Sequence, residues 1–262
     1  MFLAFAESAF RVQASFRAQL WAMMFGTALH VFARVSIWQS VFGHQTTVSG
    51  VALPQMVTYA IIATTLLSTW DASQMVRDIG ADIRSGDVVN QLLRPYNYPA
   101  SLFARQFGVR SYEMLAIGLP VIAFTGIFYG LQPPATAGHA LLFLFYVALS
   151  LFILFALATI FGLLCFWVLD ALALDWLLGG MLALLSGRLV PLWFFPASLA
   201  EIARFLPFSW ITFYPMATYL GQMDLATSGL YLLFGLGWAI VLAGIIGLLW
   251  SRARHRLMVQ GC

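Results

Sequence analysis

The run ALLFLFYVALSLFILFALATIFGLLCFWVL, residues 140–169, decides the fold of this chain. It contains no charged residue, and its polar and apolar side chains do not alternate. A helix needs roughly 20 apolar residues to cross a hydrocarbon core about 30 Å thick. Lipid cannot satisfy free backbone groups, so this run predicts a membrane-spanning helix. A β-barrel would instead show alternating segments of about ten residues.

Five other runs are also long and apolar enough to cross a bilayer. They are Leu20–Phe42, Val51–Trp70, Met114–Leu131, Trp176–Phe195 and Leu230–Trp250. The chain is 62% hydrophobic and 9% charged, whereas soluble domains carry about 25% charged residues. We therefore expect an all-α polytopic membrane protein with six spans, forming one transmembrane domain over residues 1–262.

The charged residues are concentrated in one connection. Ten of the 23 charged residues lie between Asp71 and Glu113. Arginines also precede the first span and follow the last, whereas residues 42–50 and 132–139 carry no formal charge. Basic residues accumulate on the cytoplasmic side of a membrane. The pattern predicts a cytoplasmic connection over residues 71–113 and places both termini in the cytoplasm.

This connection contains a predicted helix followed by a second, shorter one. Met75, Ile79 and Ile83 recur every four residues and form an apolar stripe. Gly86 is expected to end the first helix. The second helix begins at Asp87, and Pro95 prevents its continuation. The segment suits docking into a groove of another protein, although a loop folded against its own bundle fits the pattern equally. Its candidate residues are Ile83, Gly86, Asp87, Val88, Val89, Leu92, Leu93, Arg94 and Pro95.

The N-terminal residues 1–18 have an apolar and a polar face. Phe2, Phe5 and Phe10 share one side of a helical projection, and Glu7 and Arg11 lie opposite. This distribution predicts an amphipathic helix in the cytoplasmic interface. A cytoplasmic extension of the first span is the alternative.

Prolines divide residues 191–221 into apolar pieces of about ten residues, too short to cross a bilayer. We expect them to form an outer re-entrant segment before the last span. An ordinary aromatic belt at headgroup depth is the alternative for its many aromatic residues. The residues assigned to this hairpin are Arg188, Pro191, Pro196, Glu201, Arg204 and Pro207, and we expect its charged members to face water or one another.

Arg34 lies inside the first predicted span, eight residues before its outer end. An ionisable residue at membrane depth is a functional candidate by default. The interpretation that we favour is that Arg34 extends outward to the lipid headgroups. His30 lies one turn further inward, and we expect it to be a hydrogen-bonded packing residue.

The residue inventory excludes several enzyme classes. The chain has no lysine, which excludes a Walker A phosphate loop and a Schiff-base site. Its two cysteines predict no disulfide framework or zinc site. The remaining enzymatic alternative is a membrane lipid phosphotransferase or prenyltransferase that binds Mg²⁺ through clustered aspartates. The candidates are Asp71, Asp78, Asp82 and Asp87, but each has an arginine nearby in sequence, which is typical of a solvated helix.

Taken together, these segments resemble the permease subunit of ABC type-2 transporters. Residues 83–86 (Ile-Arg-Ser-Gly) through 92–95 (Leu-Leu-Arg-Pro) are similar to its coupling-helix segment. The run Gly187-Arg188-Leu189-Val190-Pro191 is similar to the start of its outer re-entrant hairpin. Further short matches follow at Phe195-Pro196, Pro207-Phe208 and Tyr219-Leu220-Gly221.

The resemblance implies a non-enzymatic half-transporter of a bacterial inner membrane. Two permease subunits, identical or paralogous, would enclose the path, with spans one, two and five at the dimer face. Each would rest on a separate cytoplasmic ATPase that binds ATP and Mg²⁺, while this chain binds no cofactor. The family mostly exports lipids, glycans, drugs or peptides, so export is the direction that the resemblance implies.

Overall fold

The computed structural model of the protein describes residues 17–88, 98–168 and 170–260. Most of the predicted interfacial helix, residues 1–16, lies outside the described residues. So do Val89, Leu92, Leu93, Arg94 and Pro95 of the predicted coupling segment. The side chains of residues 17, 18 and 255–260 are likewise not described.

The described residues are almost entirely helical. Their helices are α1 Arg17–Phe42, α2 Leu53–Thr69, α3 Ser73–Ser85, α4 Tyr98–Glu113, α5 Leu119–Tyr129, α6 Ala137–Val168, α7 Ala171–Leu185, α8 Ala197–Phe205, α9 Phe213–Tyr219 and α10 Leu225–Gln260. A π-helical turn, Met114–Gly118, joins α4 to α5, and short 3₁₀ turns cover Leu192–Phe194 and Pro207–Trp210. The strands β1 Thr47–Val48 and β2 Val51–Ala52 pair as a small antiparallel hairpin between α1 and α2.

Four helical stretches are long and apolar enough to cross a membrane. They are Gln19–Phe42, Tyr98–Tyr129, Ala137–Val168 and Leu225–Arg254. The helices α2 and α7 are shorter, with 17 and 15 residues. Large apolar side chains such as Phe25, Ile127 and Ile240 are exposed on these helices, as expected of surfaces that lipid covers. An all-α, multi-pass membrane architecture is therefore confirmed.

The helix α6 lies at the centre of the packing. It contacts α3, α7, α9 and α10, whereas α1 packs against α2 and α5. Side chains from α2 and α6, including Tyr59, Ile61, Tyr146 and Phe155, are among the largest fully buried groups. The bundle therefore has an α1–α2–α5 part and a part organised around α6.

The third span begins earlier than predicted. Instead of starting at Met114 after a polar loop, the helix starts at Tyr98 and runs to Tyr129 through the π turn. Arg110 and Glu113 pair with each other inside this helix at 2.6 Å, so their charges do not end it. Pro120 lacks an N–H and crowds the preceding turn, which accounts for the widened π geometry at this point. The predicted 71–113 loop is thus largely helix.

The fifth span ends earlier than predicted, at Leu185 rather than Phe195. Ser186 follows the helix and donates its hydroxyl to the Leu182 carbonyl at 2.6 Å. Gly187 then adopts a left-handed conformation, with φ of 77°, which glycine reaches without steric penalty. At 1.5 Å per residue, α7 is about 22 Å long, which is less than the hydrocarbon thickness of about 30 Å.

Candidate translocation cavity and coupling helix

The helix α3 is amphipathic, as the spacing of its apolar residues predicted. Met75, Val76 and Ile79 are fully buried, and Ile83 is partly buried against the same core. These side chains pack against α6 and α7. Charged residues occupy the other faces. The helix therefore lies against the chain's own bundle along one side.

Close backbone approach holds α3 in this position. A Cβ atom on Gly80 would collide with the side chain of Ala171 at the start of α7. A Cβ atom on Gly162 of α6 would come within 2.6 Å of the Ile79 side chain. Glycines at such positions allow two helices to pack more closely than larger residues permit. The helix α3 is consequently seated on both α6 and α7.

Gly86 ends α3, as predicted, with a left-handed φ of 79°. The Ser85 hydroxyl donates to the Asp87 carboxylate at 2.7 Å, and residues 87 and 88 are helical again. Arg84, Gly86 and Asp87 are exposed. Val88, predicted as an anchor for a partner, is instead only 1% exposed and belongs to the chain's own core. The assignment of Val88 as an anchor for a partner is therefore wrong, because its side chain is already buried in the core of this chain.

The charges of α3 bond to residues far away in sequence. Arg77 forms an ion pair with Asp175 of α7 at 2.6 Å, and Asp175 is almost buried. Asp78 pairs with Arg105 of α4 at 3.3 Å, and Asp82 accepts a hydrogen bond from the Tyr98 hydroxyl at 2.8 Å. The expectation of a freely solvated helix is therefore wrong. These contacts connect α3 to α4 and α7.

Partial burial influences the ionisation of Asp78. Removal from water raises the pKa of its carboxyl group above the usual range, and the nearby Arg105 opposes this shift. Desolvation disfavours the charged form of a carboxylic acid. The Asp78–Arg105 pair therefore does not fully offset the burial of the carboxylate.

The aspartates of the enzymatic alternative do not form one cluster. Asp71 accepts from the backbone N–H of Ser73, while Asp78, Asp82 and Asp87 bond to Arg105, Tyr98 and Ser85. Within residues 17–88, 98–168 and 170–260, no group of three or more His, Cys, Asp or Glu side chains is placed to hold a metal ion. The geometry gives no support to a magnesium-dependent lipid transferase.

A cavity of about 690 Å³ separates α1 and α2 from α7. The helix α7 contributes apolar residues, including Leu178 and Leu182, and α1 contributes Met23 and Ile37. The polar lining residues are Thr27, His30, Arg34, Thr64, Ser68, Asp71, Ser73 and Arg188. Spans one, two and five, which the family resemblance assigns to the path, thus surround one cavity.

Arg34 connects α1 to the chain after α7. Its Nη1 atom donates to the carbonyl oxygens of Arg188 and Leu189, at 2.9 and 2.8 Å. Backbone oxygens of the chain itself therefore accept its hydrogen bonds, and the reach of this side chain to the lipid headgroups stays a prediction. His30 is exposed and lines the cavity. No described hydrogen bond involves His30, which contradicts the expectation of a hydrogen-bonded packing residue.

Arg188 is placed inside the bundle rather than at the outer surface. It lines the cavity with Arg34, and a second, smaller cavity places it near Leu66 and Trp70 of α2. Its Nε atom is buried and has no hydrogen-bond partner. Glu201 and Arg204 line a different cavity, against α10. Glu201 and Arg204 are exposed, which agrees with the expectation that they face water, whereas Arg188 is partly buried and lies apart from them.

Buried hydrogen bonds position the segment between α7 and α10. The Tyr59 hydroxyl donates to the carbonyl of Gly187 at 2.7 Å, and the Ser150 hydroxyl donates to the carbonyl of Trp210 at 2.7 Å. The rings of Trp38 and Phe194 lie 5.1 Å apart between centroids. Contacts with α1, α2 and α6 therefore fix this segment, which forms one end of the cavity.

Comparison with known families identifies the chain. A family model described as "ABC-2 family transporter protein" matches residues 28–261. A comparison with curated proteins and one with solved structures each gave no match. The matched range includes the cavity, α3 and the segment after α7, and it confirms the family resemblance seen in the sequence. The chain therefore belongs to the ABC-2 family of transporter proteins, as a multi-pass permease subunit of an ABC transporter.

Proposed function

We propose that this chain is the permease half of an exporter in a bacterial inner membrane, driven by separate cytoplasmic ATPases. ATP and Mg²⁺ are bound by those ATPases, and this chain binds no cofactor. The observation that carries the proposal is the ion pair between Arg77 of α3 and Asp175 of α7. It joins the predicted coupling region to a helix that lines the cavity.

The coupling step follows from the packing of α3. The ATPase contacts the chain at residues 84–87 and at the segment 89–95. A force on this surface moves α3 together with α6 and α7, because α3 is close-packed on both helices. Movement of α7 relative to α1 and α2 changes the width of the cavity. Energy from ATP hydrolysis thereby reaches the substrate path without any chemistry in this chain.

Six crossings with both termini in the cytoplasm agree with the helix order. The four longer stretches together with the shorter helices α2 and α7 would make these six crossings. Re-entry of the chain after α7 is supported by the Ser150–Trp210 hydrogen bond. Ser150 lies 13 residues after Ala137 on α6, which corresponds to about 20 Å of helix. The loop between α7 and α10 thus returns deep into the bundle.

A second permease subunit closes the open side of the cavity. His30 and Ile37 line the cavity on α1 and are exposed. Trp176 and Leu184 of α7 are also exposed. Two subunits that face each other through α1 and α7 would join their cavities into one path.

Co-purification with the cognate ATPase tests the coupling assignment. The combined substitution Leu92→Asp, Leu93→Asp and Arg94→Glu leaves the buried Val88 intact. We expect it to release the ATPase while the permease still inserts into the membrane. Glu201→Ala with Arg204→Ala, on the α8 segment, is the matched control and should retain the ATPase. Equal retention by both variants would contradict the assignment.

Chemical labelling tests the topology. Single cysteines at Asp87 and at Gln132, in a chain with Cys165 and Cys262 changed to Ser, report the two sides of the membrane. A membrane-impermeant maleimide should label position 132 in intact cells and position 87 only after permeabilisation. Labelling of position 87 in intact cells would overturn the cytoplasmic placement of α3.

A further inference from the structure

The two arginines of the main cavity have no carboxylate partner among the described residues. Arg34 bonds only to backbone carbonyl oxygens. The guanidinium group of Arg188 makes none of the described hydrogen bonds or ion pairs, and its Nε atom is buried. By contrast, the described ion pairs engage Arg77, Arg105 and Arg110. Among the arginine side chains that the structure describes, those without an ion pair therefore lie in the cavity wall or at exposed positions.

An unpartnered hydroxyl lies in the same wall. Thr64 is 4% exposed, and its Oγ1 atom has no hydrogen-bond partner. A buried polar group without a partner is unfavourable by about 1–3 kcal/mol. Acceptor atoms of a bound molecule in the cavity would relieve this donor and the Arg188 Nε group. Both orphaned groups can donate, so the missing partner is an acceptor.

The one carboxylate in the lining does not supply that acceptor. Asp71 accepts a hydrogen bond from the Ser73 backbone at the start of α3. It attracts the charge of Arg188 from a distance, but no ion pair joins it to Arg34 or Arg188. The rest of the wall is apolar, with Met23, Leu178 and other aliphatic residues. The cavity therefore combines a cationic part with walls that suit a hydrocarbon chain.

We propose that this cavity binds an amphiphile with an anionic headgroup, which Arg34 and Arg188 contact directly and Thr64 contacts through its hydroxyl. The inference rests on the proposed function, because it names the substrate class of that path. Hydrogen bonds from guanidinium to an anion are charge-assisted and stronger than neutral ones. Arg34 keeps its bonds to the backbone through Nη1 and offers its remaining donors to the headgroup.

Direct binding to the purified full-length permease, in a neutral maltoside detergent, tests the proposal. The probe is radiolabelled dodecyl phosphate. We expect saturable binding that weakens with added salt. Arg188→Gln should reduce the affinity roughly tenfold to a hundredfold, because one charged hydrogen-bonding partner is lost. Arg188→Lys should retain most of the affinity, and Arg204→Gln, outside the cavity, should bind as the unaltered chain does.

Two competitor molecules distinguish binding of the anionic headgroup from binding of the hydrocarbon chain. Inorganic phosphate carries the anion without the chain, and dodecyltrimethylammonium carries the chain with the opposite charge. Both should displace dodecyl phosphate only at far higher concentrations. If inorganic phosphate binds as tightly as dodecyl phosphate, the assignment to an amphiphile is overturned. Stronger binding of the ammonium probe, or unchanged binding by Arg188→Gln, overturns the anionic site.

The competitor experiments use the unaltered chain, so they decide the question even if Arg188→Gln does not fold. The binding assay contains no ATPase. A failure of binding with intact ATPase co-purification would overturn the headgroup site alone. A failure of co-purification with intact binding would overturn the coupling assignment alone.

Discussion

Arginines in two regions of this protein have different partners. In α3 and α4, Arg77, Arg105 and Arg110 each pair with a carboxylate at 2.6–3.3 Å. In the cavity, Arg34 donates to two backbone carbonyls, and the Nε atom of Arg188 has no partner. The first group has its charge neutralised within the chain. The second group keeps its charge available to a bound molecule.

This difference separates the arginines that stabilise the fold through ion pairs from the arginines that we propose to bind a ligand. A buried ion pair is a poor site for an anionic ligand, because the carboxylate already offsets the charge of the arginine, and removing either member is strongly unfavourable. The Nε and Nη2 atoms of Arg110 also lack a hydrogen-bond partner, so the two regions differ in the charge that is offset and not in the number of free donors. An arginine that bonds only to carbonyl oxygens retains donors and net charge. Substitutions that remove one arginine at a time should therefore affect stability in the first region and substrate handling in the second.

The largest loss of stability should come from Arg110→Ala. Arg110 and Glu113 are each 4% exposed at the side chain, and breaking a buried pair is unfavourable by roughly 3–5 kcal/mol. Unfolding by sodium dodecyl sulfate titration of the purified protein measures the free energy of unfolding. The control is Arg105→Ala on the same helix, whose pair is largely exposed and is expected to contribute at most about 1 kcal/mol. Equal effects of the two variants would contradict the burial of the Arg110–Glu113 pair.

Arg34→Ala should have the next largest effect. It removes the two hydrogen bonds to Arg188 and Leu189, which together correspond to about 1.5–3 kcal/mol. The loss should be local, with faster amide exchange at residues 187–190 measured by mass spectrometry. His30→Ala, one turn away on the same helix, removes no described hydrogen bond and should leave exchange unchanged. Unaltered exchange in Arg34→Ala would show that other contacts hold this segment.

Arg77→Gln should reduce stability by about 1 kcal/mol, because one member of its pair is half exposed to solvent. Its effect on coupling should be larger than its effect on stability. Substrate-stimulated ATP hydrolysis by the assembled transporter measures coupling. The exchanged pair Arg77→Asp with Asp175→Arg should restore part of the stimulation. Normal stimulation in Arg77→Gln alone would remove the ion pair from the coupling route.

The smallest effect should be a gain in stability from Asp78→Asn. Burial raises the pKa of Asp78 in the folded protein, so its contribution to stability is present at low pH. That contribution is lost as the pH rises from the unfolded value near about 4 through the folded pKa. At pH 7 the asparagine variant should therefore melt slightly higher than the unaltered chain. The difference should vanish below about pH 4, and a lower melting temperature at pH 7 would mean that the pair with Arg105 outweighs burial.

Local features of the cytoplasmic region could be predicted from the sequence. The spacing of Met75, Ile79 and Ile83 identified the buried face of α3, and Gly86 identified its end. Such signals depend on residues within one or two helical turns. The apolar runs identified the membrane class for the same reason, because each run is sufficient by itself to indicate a crossing.

The long-range partners could not be predicted from the sequence. Arg34 and Arg188 are 154 residues apart, and Arg77 and Asp175 are 98 residues apart. No local pattern encodes which charges meet after the helices pack. The end of the fifth span was also misplaced. Residues 186–195 were predicted to continue this span, but α7 ends at Leu185 and Gly187 adopts a left-handed conformation. Asp175 lies one residue before the predicted span Trp176–Phe195, and its neighbours in the sequence do not indicate which arginine pairs with it.

The π turn at Met114–Gly118 has a consequence for the orientation of the third span. A π turn inserts one extra residue, and each residue rotates an α-helix by about 100°. The wider turn absorbs that residue, so the half that carries Val121 keeps the angular position that a shorter, regular α-helix would give it. One further residue inserted elsewhere in this span, with no second π turn to absorb it, would rotate the two halves against each other by about 100°. Either the Arg110–Glu113 pair or the apolar packing residues would then turn away from the bundle.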